Sequence, residues 1–257
     1  MLDAVAHFVL KFSHITFIIP LVMVGMIFHR RDLYAKAICF VFVVMIFNAL
    51  LKQWFKVPLF PHLGPGYAFP SGHMHAAAVF YGYIIYKVDN RALRVTLLFL
   101  LCCFGLSLIQ CRFHDLFDVT GAAVFAFAEI LLCRFISLKF GEKALAAVAM
   151  AVSLSSMVIL FIIYQLQWHV WLAFYALTGT IFSLNFIEDR KNRNLPQKLL
   201  SLTASVLLTA AVYFIFKALA FKDPFLSEIR FALLPTLTMG SINLCSRVNF
   251  KTSAARF

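Results

Sequence analysis

A chain of 257 residues that is 63% hydrophobic and only 13% charged, with a mean hydropathy of +0.89, lies far from the about 25% charged, half-apolar balance of soluble domains, so an ordinary soluble fold is excluded. Lys and Arg outnumber Asp and Glu by 23 to 11. The six cysteines are scattered at irregular spacing, mostly in apolar runs, which suggests neither a disulfide framework nor a zinc pattern.

A bilayer core needs about 20 apolar residues per helical span. By that rule about nine spans are predicted, near 8–28, 34–55, 71–87, 93–111, 118–138, 144–165, 170–187, 199–221 and 231–246. The runs are far longer than barrel strands and do not alternate, so the expected fold class is all-α, a polytopic transmembrane helix bundle. The first run carries Lys11 and His14 and no small-residue cleavage site follows it, so it is expected to remain as an anchor.

The basic residues explain themselves by position. With the N-terminus outside the cytoplasm and the C-terminus inside, 16 Lys and Arg fall on the inner side, among them Arg31, Lys36, Lys87, Arg190, Lys191, Lys251 and Arg256. Six fall outside: Lys52, Lys56, Arg112, Lys217, Lys222 and Arg230. The positive-inside rule favours this orientation, so the charge excess points to membrane lipids and not to nucleic acid. No linker or clear internal repeat divides the chain. Residues 1–143 hold nearly all the unusual polar groups and are expected to form the catalytic core. Residues 144–257 are expected to add transmembrane helices for packing, a lipid groove or partner contact.

The orientation puts segments 52–71 and 111–118 on one, non-cytoplasmic side. A polar cluster near membrane depth is expensive to hold, which makes it a candidate site. In Pro70-Ser71-Gly72-His73, proline presets a turn and glycine admits close backbone approach where an apolar helix begins. The first N–H groups of such a helix lack intrahelical partners, so with the Ser71 hydroxyl they can cradle phosphate oxygens. His73 at that rim is suited to protonate a leaving oxygen. His114 and Asp118, four residues apart, share a face or a loop-to-helix junction. Asp118 can then hold one ring nitrogen and aim the other as a nucleophile, giving a phosphohistidine that water hydrolyses. This chemistry calls for no metal and no cofactor.

Over residues 45 to 125 the chain resembles the type 2 phosphatidic acid phosphatase superfamily, which also includes glucose-6-phosphatases and vanadium haloperoxidases. Pro70-Ser71-Gly72-His73 matches that family's motif in full, and His114 with Asp118 matches its last pair. The resemblance implies His73 as general acid, His114 as nucleophile, Asp118 as orienter, and Lys52, Ser71 and Gly72 as phosphate-binding. Two family arginines are missing: Leu59 and Phe60 stand in place of an Arg-Pro pair, and Leu108 follows Ser107 where an Arg is expected. Arg112 and Lys56, each one helical turn away, are expected to supply the cations if those stretches are helical. Arg and Lys are not equivalent at bidentate phosphate contacts, so an altered substrate or weakened catalysis is consistent with these departures.

The expected function is hydrolysis of a lipid phosphate or diphosphate from the non-cytoplasmic face. The nine-span arrangement is similar to that of glucose-6-phosphatases. The Ser-Gly-His and His-Asp elements also resemble sphingomyelin and inositol-phosphorylceramide synthases, so transfer of a head group to a lipid acceptor is one alternative. A catalytically inactive transporter or scaffold, supported by intramembrane Lys11 and Glu129, is the other. His75 is expected at the rim or in packing, His62 in a Gly/Pro loop, and His14 and His169 as interfacial or bundle hydrogen-bonders. Trp54, Trp168 and Trp171 are expected as belt anchors. Glu129, eleven residues past Asp118, is expected to pair within the bundle with Lys11 or a hydroxyl.

Overall fold

The computed structural model describes residues 2–164, 166–188, 193–219 and 229–248. Arg190, Lys191, Lys222, Lys251 and Arg256, which the orientation count used, lie outside the described residues. Among those described the fold is all-helical. The helices are α1 (Leu2–Leu10), α2 (Ile15–Phe28), α3 (Arg31–Phe55), α4 (Gly72–Lys87), α5 (Arg91–Gln110), α6 (Leu116–Ile163), α7 (Trp168–Phe186), α8 (Leu195–Leu219) and α9 (Arg230–Cys245). Short 3-10 turns cover Lys11–Ser13 and Pro61–Leu63.

Helices α3, α5, α6 and α8 are long and apolar enough to cross a membrane, and the bent pair α1–α2 brings the number to five. Their outward faces expose large apolar side chains such as Phe99, Leu106, Phe127 and Leu207, which is compatible with an integral membrane protein. The first apolar run is broken: the 3-10 turn and the extended His14 separate α1 from α2, and the two segments meet at 50°. Backbone groups freed at the break find side-chain partners. Ser13 Oγ donates to Leu10 O at 2.9 Å, and Tyr81 Oη donates to Phe12 O at 2.8 Å.

The runs expected at 118–138 and 144–165 both belong to α6, whose 48 residues would extend about 72 Å if straight. They do not run straight, because Gly141 adopts φ 84° and ψ 173°, outside the helical region. A side chain rarely tolerates that φ, and glycine does. The result is that His114, just before α6, and Tyr164, just after it, line one cavity. Residue 143 falls just past that break, within the same element.

The central helix is α3, which packs against α2, α4, α6 and α7. Its buried residues include Leu33, Ile46 and Asn48, and Phe80 of α4 is fully buried beside them in the same core. At the N-terminal end of α3 the buried Arg31 guanidinium donates to the carbonyls of Ser183, Ile187 and Glu188 at 3.1, 2.6 and 2.7 Å. These carbonyls end α7, where a cation favours both the orphan acceptors and the helix dipole. A cavity of about 380 Å³ opens at this end, beside the Lys36–Glu142 ion pair of 3.1 Å.

Candidate active site

The site lies at the other end of α3. Lys52, in the last turn of that helix, donates from Nζ to the Tyr67 carbonyl at 2.8 Å. The carbonyl is held by the loop after α3, in which Pro58 and Tyr67 form an antiparallel bridge, Leu59 N–H bonds Gly66 O at 3.0 Å and Ala68 N–H bonds Val57 O at 2.8 Å. The ammonium keeps further donors for an anion.

Ser71 is the N-cap of α4, its Oγ accepting from Met74 N–H at 3.4 Å. Its own N–H donates to the Asp118 carbonyl at 3.2 Å, which ties the start of α4 to the start of α6. Ser71 is fully buried and does not line the cavity beside it. In the structure its hydroxyl caps α4 and lies behind the cavity wall that Gly72 and His73 form. Gly72 and His73 do line the cavity, and as the first two helical residues they present N–H groups with no intrahelical acceptor. Asn48 braces this helix start. Its Nδ2 donates to Pro70 O at 3.2 Å, and a side chain at position 72 would crowd its Oδ1.

His114 is nearly buried, and its Nδ1 lies 3.1 Å from Asp118 Oδ2. A carboxylate only accepts, so Nδ1 carries the proton and Nε2 holds a lone pair. Asp118 is fixed in turn by a reciprocal capping box. Its N–H bonds Asp115 Oδ1 at 2.7 Å, and its Oδ2 accepts from Asp115 N–H at 3.4 Å. Burial pushes the His114 imidazole below its ordinary value of about 6.5, and the Asp118 hydrogen bond opposes this without overcoming it. The neutral ring, with its lone pair on Nε2, is favoured.

One cavity of about 760 Å³ brings Lys52, Gly72, His73 and His114 together. Lys52 is the one Lys or Arg lining it among the described residues. Arg112 and Lys56 do not reach it. Both are exposed and both adopt left-handed backbone, φ 53° in each case, just beyond the ends of α5 and α3. The helical geometry that would have projected them one turn back is absent there.

Two histidines expected at interfaces belong to the same cavity. His14, at the α1–α2 break, has its ring 5.8 Å from that of His73, and His169 enters from the first turn of α7. His14 is legible in hindsight as a polar residue interrupting an apolar run, whereas nothing local marks His169. Asn48 was missed as well, although it sits four residues before Lys52 and so on the same face. His62 remains exposed and stacks on Phe60. Trp54 and Trp168 are exposed, whereas Trp171 packs against the core.

His75 is fully buried and not at the rim, and its partner is Glu129, with Nε2 and Oε2 3.1 Å apart. Neither Lys11 nor a hydroxyl takes that place. Comparison with known proteins adds no relative: no family model matches the chain, and neither a curated protein nor a solved structure does.

Proposed function

We propose that the protein is a membrane-bound phosphatase that hydrolyses a lipid phosphate or diphosphate through a phosphohistidine intermediate. The observation that carries this reading is the 3.1 Å bond from His114 Nδ1 to Asp118, which leaves Nε2 unprotonated in the cavity shared with His73 and Lys52. The phosphate is held by the Lys52 ammonium and the N–H groups of Gly72 and His73. His114 Nε2 attacks phosphorus as the bond to the ester oxygen breaks, and His73 gives that oxygen its proton. His73 then takes a proton from water, whose oxygen displaces His114 and releases phosphate.

The nine-pass arrangement with the N-terminus outside the cytoplasm belongs to the same proposal. It is supported by the reversal of α6 at Gly141 and by the placing of Arg31, Lys36 and Lys87 toward the end of the bundle opposite the site. A lipid substrate is favoured over a soluble one because the cavity lies among apolar spans.

The test is phosphate release by purified protein from a panel of lipid phosphates, with vanadate as inhibitor and acid-quench trapping of labelled enzyme. Vanadate-sensitive release and an acid-labile phosphohistidine, both lost in His114→Ala, are expected. No release from any substrate in the panel, or release unchanged in His114→Ala, overturns the reading.

A further inference from the structure

We infer that the cavity below the phosphate site is a channel for the substrate's hydrocarbon tail, walled in part by the second half of the protein, so that tail length sets affinity. This rests on the site being a phosphate site. Below Lys52 the cavity follows one face of α3 through Ala49, Met45, Val41 and Ile38, spaced three and four residues apart. Ile38 lies fourteen residues from Lys52, about 21 Å along the helix axis. Every lining group from Met45 to Ile38 is apolar, as are those opposite: Ile18 of α2, Leu160 of α6, and Val170 and Leu172 of α7.

The basic and imidazole groups of the lining, Lys52, His14, His73, His114 and His169, come from the helix ends that meet at the phosphate site, where a head group would sit. Over that length of about 21 Å an extended hydrocarbon tail can lie along the α3 wall. Leu160, Val170 and Leu172 come from residues outside the stretch that carries the phosphatase motifs. The second half thus gains a direct role in choosing the substrate.

In a bilayer the tail exchanges one hydrocarbon environment for another, so the channel selects by shape. In water the same burial counts in full, at about fourfold in affinity per methylene. The test therefore uses the full chain in amphipol, free of detergent, with n-alkylphosphonates from butyl to decyl below their micelle concentrations. Affinity is expected to climb with chain length by up to about fourfold per methylene. Val41→Trp and Leu172→Trp, which fill the channel from opposite walls, should flatten the climb beyond the shortest chains. Butylphosphonate affinity within twofold of the parent protein shows that each variant is folded.

A flat series in the parent protein overturns the channel, as does a folded tryptophan variant that follows the parent slope. If neither variant is folded, the parent series alone decides. A rising series without turnover of any lipid phosphate would leave the channel standing and remove the phosphatase reading. Turnover with a flat series would do the reverse.

Discussion

His75 and Glu129 form a pair behind the start of α4, with the imidazole fully enclosed and its Nε2 3.1 Å from Glu129 Oε2. Asn48 fixes the tautomer. Its Nδ2 faces the Pro70 carbonyl, which only accepts, and the same nitrogen lies 3.1 Å from His75 Nδ1. Nδ1 is therefore the acceptor and Nε2–H the donor to Glu129. Glu129→Gln keeps an acceptor for that proton, whereas Glu129→Leu leaves it unsatisfied. The leucine variant should lose about 1–3 kcal/mol of stability and the glutamine variant much less, as read by thermal unfolding in detergent.

Lys52 and the two cations outside the cavity separate cleanly in a binding experiment. Lys52→Gln removes a charge-assisted contact inside a cavity, typically about 1.5–3 kcal/mol, so KM for a lipid phosphate should rise roughly 10- to 100-fold. Arg112→Ala and Lys56→Ala change exposed side chains and should alter KM by no more than about twofold. A large effect at Arg112 would mean that the loop before α6 rearranges when phosphate binds.

His114 offers a pH test with a defined sign. Burial lowers its titration below about 6.5, so the ring stays neutral in the folded protein at pH values where a free imidazole is half charged. The stability it contributes is complete above that ordinary value and is lost as the pH falls toward the folded value. The Asp118 hydrogen bond and charge act upward, so Asp118→Ala should move the titration lower still. Carbon-13 NMR of labelled histidine, assigned through His114→Ala, reads both shifts. A His114 titration above about 6.5 would contradict the burial seen here.

Gly121 makes a steric test of how α6 docks. A Cβ there would fall onto the Phe69 ring, which is itself packed against Phe55, Phe117 and Phe125. Gly121→Ala should cost about 1–3 kcal/mol through overpacking and should displace the loop that leads into Ser71. Thermal unfolding measures the first effect, and reduced phosphonate affinity the second.

The site was legible where its chemistry is local. Ser71, Gly72 and His73 sit on consecutive positions and His114 and Asp118 four apart, so turn and helix geometry predicts their arrangement from spacing alone. The all-helical class followed likewise from the length of the apolar runs. What escaped was contact across the bundle. His14, His169 and Tyr164 meet the site from three elements distant in sequence, and no local spacing records that. Lys56 and Arg112 failed for a different reason. Extending helices α3 and α5 by one more turn ignored the left-handed residues that end them.

Arg31 carries a consequence for biogenesis. Its buried guanidinium is met by carbonyls at positions 183, 187 and 188, which leave the ribosome more than 150 residues later. Until α7 arrives, the N-terminal end of α3 holds a charge for which these three carbonyls have not yet been made. A chain truncated at residue 143 would lack all three of those acceptors. Supplying the remaining helices as a separate polypeptide would restore them.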